Sequence, residues 1–212
     1  MEDVLELYEE PYDPTRPVVC FDEMPVQLVG ETRVPQPPAP GRAARYDYEY
    51  RRNGTANVFI HFEPKAGWRH ADATERRTKV DFAGQMKHLC DELYPDAEKV
   101  RVVLDNLNAH TAGALYEAFA PAEARRLAVK LEFHYTPKHA SWLNMAELEL
   151  SVLARQCLSR RIPDATTLAA EVKAWQDARN RDRIRINGCF KVADARKKMS
   201  RVYPQQTPAA VH

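Results

Sequence analysis

Two apolar runs in this chain end on acids. "VVLDNLNAHT" (102–111) carries Val102, Val103 and Leu104 straight into Asp105, and "VVCFDE" (18–23) carries a β-branched stretch into Asp22 and Glu23. An Asp at a strand end is most often the start of a turn, because its side chain mimics a backbone turn. A third acid, Glu147, falls in the first turn of "LNMAELELSVLARQCL" (143–158), a helix by its spacing. Asn144 and Glu147 also have the spacing of a capping box, and on spacing alone Glu147 reads as a cap. The other reading gathers the acids. If the first strand is central and neighbours the strand at 100–104, Asp22 and Asp105 emerge side by side, and the helix lays Glu147 over the same edge. Three such carboxylates repel and raise one another's pKa. A hard divalent cation, Mg²⁺ or Mn²⁺, relieves that repulsion. Two such ions about 3.5–4 Å apart activate a water and stabilise the leaving oxygen of a phosphodiester. Glu149, two positions further on, points to the other side of the helix. Glu149→Gln is therefore expected to leave this chemistry unchanged.

The elements that must position these acids can be read from period and punctuation. Residues 2–10 form a short helix and 18–23 a strand, and the Pro-rich stretch 33–44 is an irregular loop. Tyr46, Tyr48 and Tyr50 alternate with charged residues in strand period, and Asn53-Gly54 is a strong hairpin signal. With "NVFIHFE" and "WRHADAT" this predicts an antiparallel meander. Residues 76–94 switch to helical period, a strand follows at 100–104, then a helix near 112–120 and a strand at 129–135. Asp164 caps a last helix carrying Leu168, Val172 and Trp175. A meander followed by strands joined through helices implies an α/β fold with a mixed sheet and helices packed on it.

Composition excludes some classes. No stretch approaches the ~20 apolar residues of a membrane span, and the acidic N-terminus lacks a signal-peptide layout, so a cytoplasmic protein is expected. Cys20, Cys90, Cys157 and Cys189 are far apart, which fits neither a zinc knuckle nor a disulfide framework. Net charge is +1, yet residues 1–30 hold eight acids and one base while 151–203 hold thirteen bases and five acids. The basic segment, with Arg179 and Arg181, suits DNA phosphates or an ordinary solvated helix face. His110, and Lys138 with His139 in the loop before the Glu147 helix, carry the same pair of readings.

Taken together, "CFDEMPVQL" (20–28), "VVLDNLNAHT" and "FHYTPKHASWLNMAELEL" (133–150) resemble the three catalytic blocks of transposases of the insertion sequence 630 group, within the Tc–mariner superfamily. The segments 30–70 and 75–89 resemble that group's intervening sequence, so the likeness spans roughly 15–204. The resemblance implies a ribonuclease H-like catalytic domain over 17–204, after a linker at 1–16 and before a flexible tail at 205–212. It implies a DDE site in which Asp22, Asp105 and Glu147 are catalytic and hold two Mg²⁺ or Mn²⁺ ions. The implied activity is cleavage and strand transfer on double-stranded DNA, both transposon ends and target, in the bacterial cytoplasm and on the nucleoid. The loop 33–44 lies where mariner relatives carry an arm that reaches a second subunit, so it either docks on a second copy in a homodimer or folds back on its own domain. Two departures qualify the likeness. Asp105 and Glu147 lie 42 positions apart, longer than the mariner spacing. About twenty residues precede Asp22, too few for the helix-turn-helix modules of the group, so either such a module is a separate protein from an upstream frame or the chain is a truncated copy or a single domain. The rival readings are a catalytically silent, truncated remnant that binds DNA or a partner chain, and a host nuclease of the same fold.

Overall fold

The computed structural model describes residues 1–138 and 140–199; His139 and the 205–212 tail, with the expectations placed on them, lie outside the described residues. Five strands make one sheet: β1 (Val18–Glu31), β2 (Tyr50–Glu63), β3 (Trp68–Thr74), β4 (Val100–Leu104) and β5 (Leu131–Tyr135). Their order is β3-β2-β1-β4-β5, with the β1–β2 and β2–β3 pairs antiparallel and the β1–β4 and β4–β5 pairs parallel. β1 is central and β4 is its neighbour, as gathering the acids requires.

Alternation along the strands decides which helix layer each side chain meets. Val18 and Cys20 of β1 and Val103 of β4 join a core with α1 (Glu2–Glu9), α5 (Met145–Gln156) and α6 (Ala165–Arg181), through Val4, Leu150, Leu153, Leu168 and Trp175. Val19, Phe21, Val102 and Leu104 join a second core with α2 (Lys79–His88), α3 (Ala112–Ala118) and α4 (Pro121–Lys130), through Phe82, Met86, Leu115 and Leu127. Each fully buried Leu or Phe stabilises by roughly 1.5–3 kcal/mol. A one-residue slip of β1 would turn both sets to the wrong layer, so its register is firmly held. A short helix, α7 (Val192–Lys198), packs on α1. Among the described residues no helix is long and apolar enough to cross a membrane. The cysteines are free, and only Cys189 is exposed.

Several expectations are corrected. β1 runs on to Glu31, so Asp22 lies within a strand rather than at its end. Asn53-Gly54 does not turn a hairpin. It lies inside β2, between Arg52 paired to Val29 and Thr55 paired to Gln27, and so opposes the single residue Leu28 as a β-bulge. Gly54 has φ 99°, and a bulge rewards the same left-handed glycine as a tight turn. Tyr46 and Tyr48 are exposed and outside the sheet, in a loop held at its base by Arg161, which donates to the Asp47 and Glu49 carbonyls. Pro121 starts a separate helix, α4, which takes in residues 129 and 130 expected in β5. The helix expected over 76–94 begins at Lys79, capped by Thr78, and ends in a π-turn at Leu89–Leu93.

Candidate active site

The parallel ladder between β1 and β4 stops at the Cys20–Val103 pair, while β1 continues. Two residues beyond that pair stand Asp22, within β1, and Asp105, immediately after β4, at the same level. Asp22 shares the parity of Cys20, and Asp105 that of Val103, so both belong to the face covered by α5. Glu23 shares the parity of Phe21 and belongs to the opposite face. Strand alternation thus separates Asp22 from the adjacent Glu23.

Asn144 fixes α5 over this fork. It is fully buried; its Oδ1 accepts from the Ala146 N–H at 3.1 Å, and its Nδ2 donates to the Phe21 carbonyl at 2.8 Å. One side chain therefore caps the helix and ties its first turn to the residue before Asp22. The Asn144 N–H donates to the Ser141 carbonyl at 2.7 Å, so Glu147 does not close a capping box. Its half-buried carboxylate has no protein donor among the described residues. Tyr8 supports the approach to the helix, donating to the Leu143 carbonyl at 2.9 Å.

Sequence reasoning missed the support beneath Asp105. His110 is 1 % exposed, with Nδ1 at 2.6 Å from Asp105 Oδ1 and Nε2 at 3.1 Å from Glu23 Oε2. Burial opposes protonation of the ring, but hydrogen bonds and charge from Asp105 and Glu23 prevail and raise its pKa to about 9. The imidazolium fixes one oxygen of Asp105 and leaves the other free. Tyr135 Oη donates to the His110 carbonyl at 2.9 Å, and Arg77 lies 3.7 Å from Glu23 on its outer side. The DNA contact considered for His110 is corrected: both ring nitrogens serve carboxylates inside the fold. A Glu following Asp22, together with a His five places after Asp105, was the only sequence signal for this arrangement.

Burial raises the Asp22 pKa to about 7; the Glu23 N–H, at 2.8 Å from Oδ1, opposes this, while the charges of Glu23, Asp105 and Glu147 add to it. Asp22 therefore feels both other acids of the predicted set. All three offer hard oxygen donors, which suit Mg²⁺ or Mn²⁺. Their chemistry fits a divalent cation, although among the described residues no three His, Cys, Asp or Glu side chains enclose a metal position.

A pH dependence follows. Between about pH 4 and 7 the folded chain keeps a proton on Asp22 that the unfolded chain, with the ordinary carboxyl pKa of 3.8, has released. Stability therefore falls as pH rises through that window, and the penalty is complete above it. Asp22→Asn without metal is expected to raise the melting temperature at pH 8 and to leave it unchanged at pH 4. Equal melting of both proteins at pH 8 would mean that neither burial nor the neighbouring acids penalise a charge on Asp22.

The remaining candidates are not gathered together. Lys138 is exposed and lines, with Asp105, Asn106 and Thr136, a cleft of about 380 Å³ beside the acids. Arg179 is corrected as a DNA contact: its Nε and terminal nitrogen donate to Glu149 Oε2 and Oε1 at 3.1 and 2.7 Å. Arg181 is exposed, but the end of α6 lies against the start of β3, where Asn180 bonds Arg69. That is two strands from Asp22 and toward the sheet's other end. Glu149 points away from the acids, as expected, but it is fully buried against Arg69 and Arg179. Glu149→Gln is therefore expected to weaken the fold, while it still takes nothing from the three acids.

The sequence profile of the DDE superfamily endonucleases matches residues 17–169, a span containing Asp22, Asp105 and Glu147. No curated protein is significantly similar. The fold is similar to that in the crystal structure of the Mos1 strand transfer complex, with TM-score 0.57 and 15% identity over 82% of this chain and 51% of that one. It is similar also to the Mos1 transposase paired-end complex with left transposon end, with TM-score 0.56 and 16% identity over 84% and 53%. The Mos1 mariner paired-end complex with Mn gives TM-score 0.54 and 16% identity over 82% and 52%. These likenesses make the sheet ribonuclease H-like, and the chain spans about half the length of the solved chains it matches.

Proposed function

The chain belongs to the DDE superfamily endonucleases, and on that footing we propose that it is the catalytic domain of an insertion-sequence transposase, cleaving DNA and joining strands with divalent metal. One observation carries this reading: Asp22 and Asp105 stand level on one face, and Asn144 ties the first turn of α5, which bears Glu147, to the residue before Asp22. The strand-transfer and paired-end complexes among chains of similar fold, one with Mn, support it. The blocks at 20–28, 102–111 and 133–150 favour the insertion sequence 630 group.

Asp22, Asp105 and Glu147 hold the cations in this proposal, and His110, backed by Glu23, keeps Asp105 turned toward them. Lys138 and the cleft beside Asp105 receive the DNA backbone, where a single cation contributes attraction without sequence preference. The bound ions supply the means to activate a water or a 3′-hydroxyl and to stabilise the leaving oxygen.

The test has two readouts. Mn²⁺ or Mg²⁺ is expected to raise the melting temperature, worth about 2.7 kcal/mol at a hundredfold excess over Kd, and to support nicking of duplex DNA that leaves a 3′-hydroxyl. A chain that binds DNA but gains neither stability nor cleavage from metal would be the silent remnant instead.

A further inference from the structure

At the sheet end opposite the acids, a pocket of about 540 Å³ opens between the β2–β3 turn and the chain after α6. Glu63, at the end of β2, is 4 % exposed and forms part of its lining. Tyr94 Oη donates to Glu63 Oε2 at 2.8 Å, while Oε1 has no hydrogen-bond partner among the described residues. A buried carboxylate oxygen left without a donor is costly to the fold. Trp68 and Tyr94, edge to face at 5.7 Å, form an aromatic wall, and Tyr12, 53 % exposed, stands at the carboxylate from the solvent side. Lys65, Arg183 and Arg185 line the same pocket, and neither arginine makes an ion pair among the described residues. Arg183 is held at φ 47°, rare for a side chain of its size, with its carbonyl packed where a Cβ on Gly67 would fall.

Three cations beside one carboxylate exclude a cationic ligand such as a lysine or a quaternary amine. The pocket suits an anion that also carries a planar ring and N–H donors. Guanine offers two adjacent donors, N1–H and the 2-amino group, to a carboxylate. Adenine and cytosine set an acceptor beside their amino group, and thymine flanks its one N–H with carbonyls, so each would turn a lone pair toward Glu63.

We propose that this pocket binds a guanine nucleotide, with the base edge on Glu63, the ring against Trp68 and the phosphate on Arg183 and Arg185. Tyr12 turns aside to admit the ring. The nucleotide is either free or an unpaired guanine in a DNA strand, and either source presents the same groups.

Titration of the whole chain with dGMP, dAMP, dTMP and inorganic phosphate, followed by calorimetry, tests this. Expected is saturable dGMP binding, at least roughly tenfold tighter than the other three, as a lost hydrogen bond to a charged group implies. Glu63→Gln should erase that preference while phosphate binding persists. The exposed double change Arg183→Ala with Arg185→Ala should weaken every ligand. A seven-nucleotide strand with one central guanine, compared with an all-thymidine strand, separates the sources. Tighter binding than dGMP identifies the strand, and weaker binding the free nucleotide. Equal binding of dGMP and dAMP, or dGMP binding indifferent to Glu63→Gln, would overturn the proposal. Should Glu63→Gln not fold, the base series on the unaltered chain decides alone. None of these readouts depends on cleavage.

Discussion

Glu147→Gln is expected to abolish metal-dependent DNA cleavage without loss of fold stability. The side chain caps nothing: Asn144 alone accepts at the start of α5, from Ala146, and the Asn144 N–H is taken by Ser141. An amide at 147 therefore removes no hydrogen bond, and it removes one of the charges that raise the Asp22 pKa. The metal-free melting temperature should hold or rise. For the proposed reaction the change takes away one of the three anionic ligands assigned to the cations. Loss of an outer partner of a metal ligand already reduces affinity or activity by about 10–100-fold, so loss of the ligand should exceed roughly a hundredfold. Nicking assays in Mn²⁺ and metal-free melting curves check this together. Cleavage within a few fold of the unaltered chain, with a lower melting temperature, would return Glu147 to the role of a cap.

How far the sequence reached can be seen at particular residues. Asp22, Asp105 and Glu147 were singled out by the resemblance of the blocks at 20–28, 102–111 and 133–150, whereas period and spacing alone left two strand-end acids and a helix cap. Period alone does not choose between Asp22 and Glu23, since that choice rests on parity against two core layers, and parity needs the register of β1 with β4. Asn53-Gly54 misled because the left-handed glycine of a hairpin and that of a bulge are the same local chemistry; only the strand opposite, with Leu28 facing two residues, tells them apart. The end of β1 was placed too early because Asp22 and Glu23 read as the close of the β-branched run. Pro25 is tolerated because β4 pairs with β1 only as far as Cys20, leaving that edge open. The second bond of Asn144, to the Phe21 carbonyl, joins residues 123 positions apart and leaves no local trace.

Glu149 carries the largest expected effect on stability. Helical geometry turns it away from the acids, and a surface position would have followed if nothing packed there. Instead α6 covers β3, and Glu149 and Arg69 meet with both side chains 0 % exposed, Arg69 Nε lying 3.2 Å from Glu149 Oε2. Arg69 also donates to the Gly67 and Ile184 carbonyls at 3.1 and 2.6 Å, and Arg179 closes the other side of the carboxylate. Glu149→Gln keeps the shape but leaves a buried guanidinium beside a second one without the anion between them. Removing one partner of a buried pair costs about 3–5 kcal/mol, which for a chain of this size lowers the melting temperature by roughly 10 °C. Cleavage measured well below that temperature should survive, since Glu149 touches none of the three acids. Arg69→Met combined with Glu149→Met should recover most of the loss, because an apolar pair of similar volume carries no desolvated charge. Arg179, 14 % exposed, can then turn its guanidinium to water. A single Glu149→Gln that melts with the unaltered chain would mean that this pair does not hold α5 and α6 to the sheet.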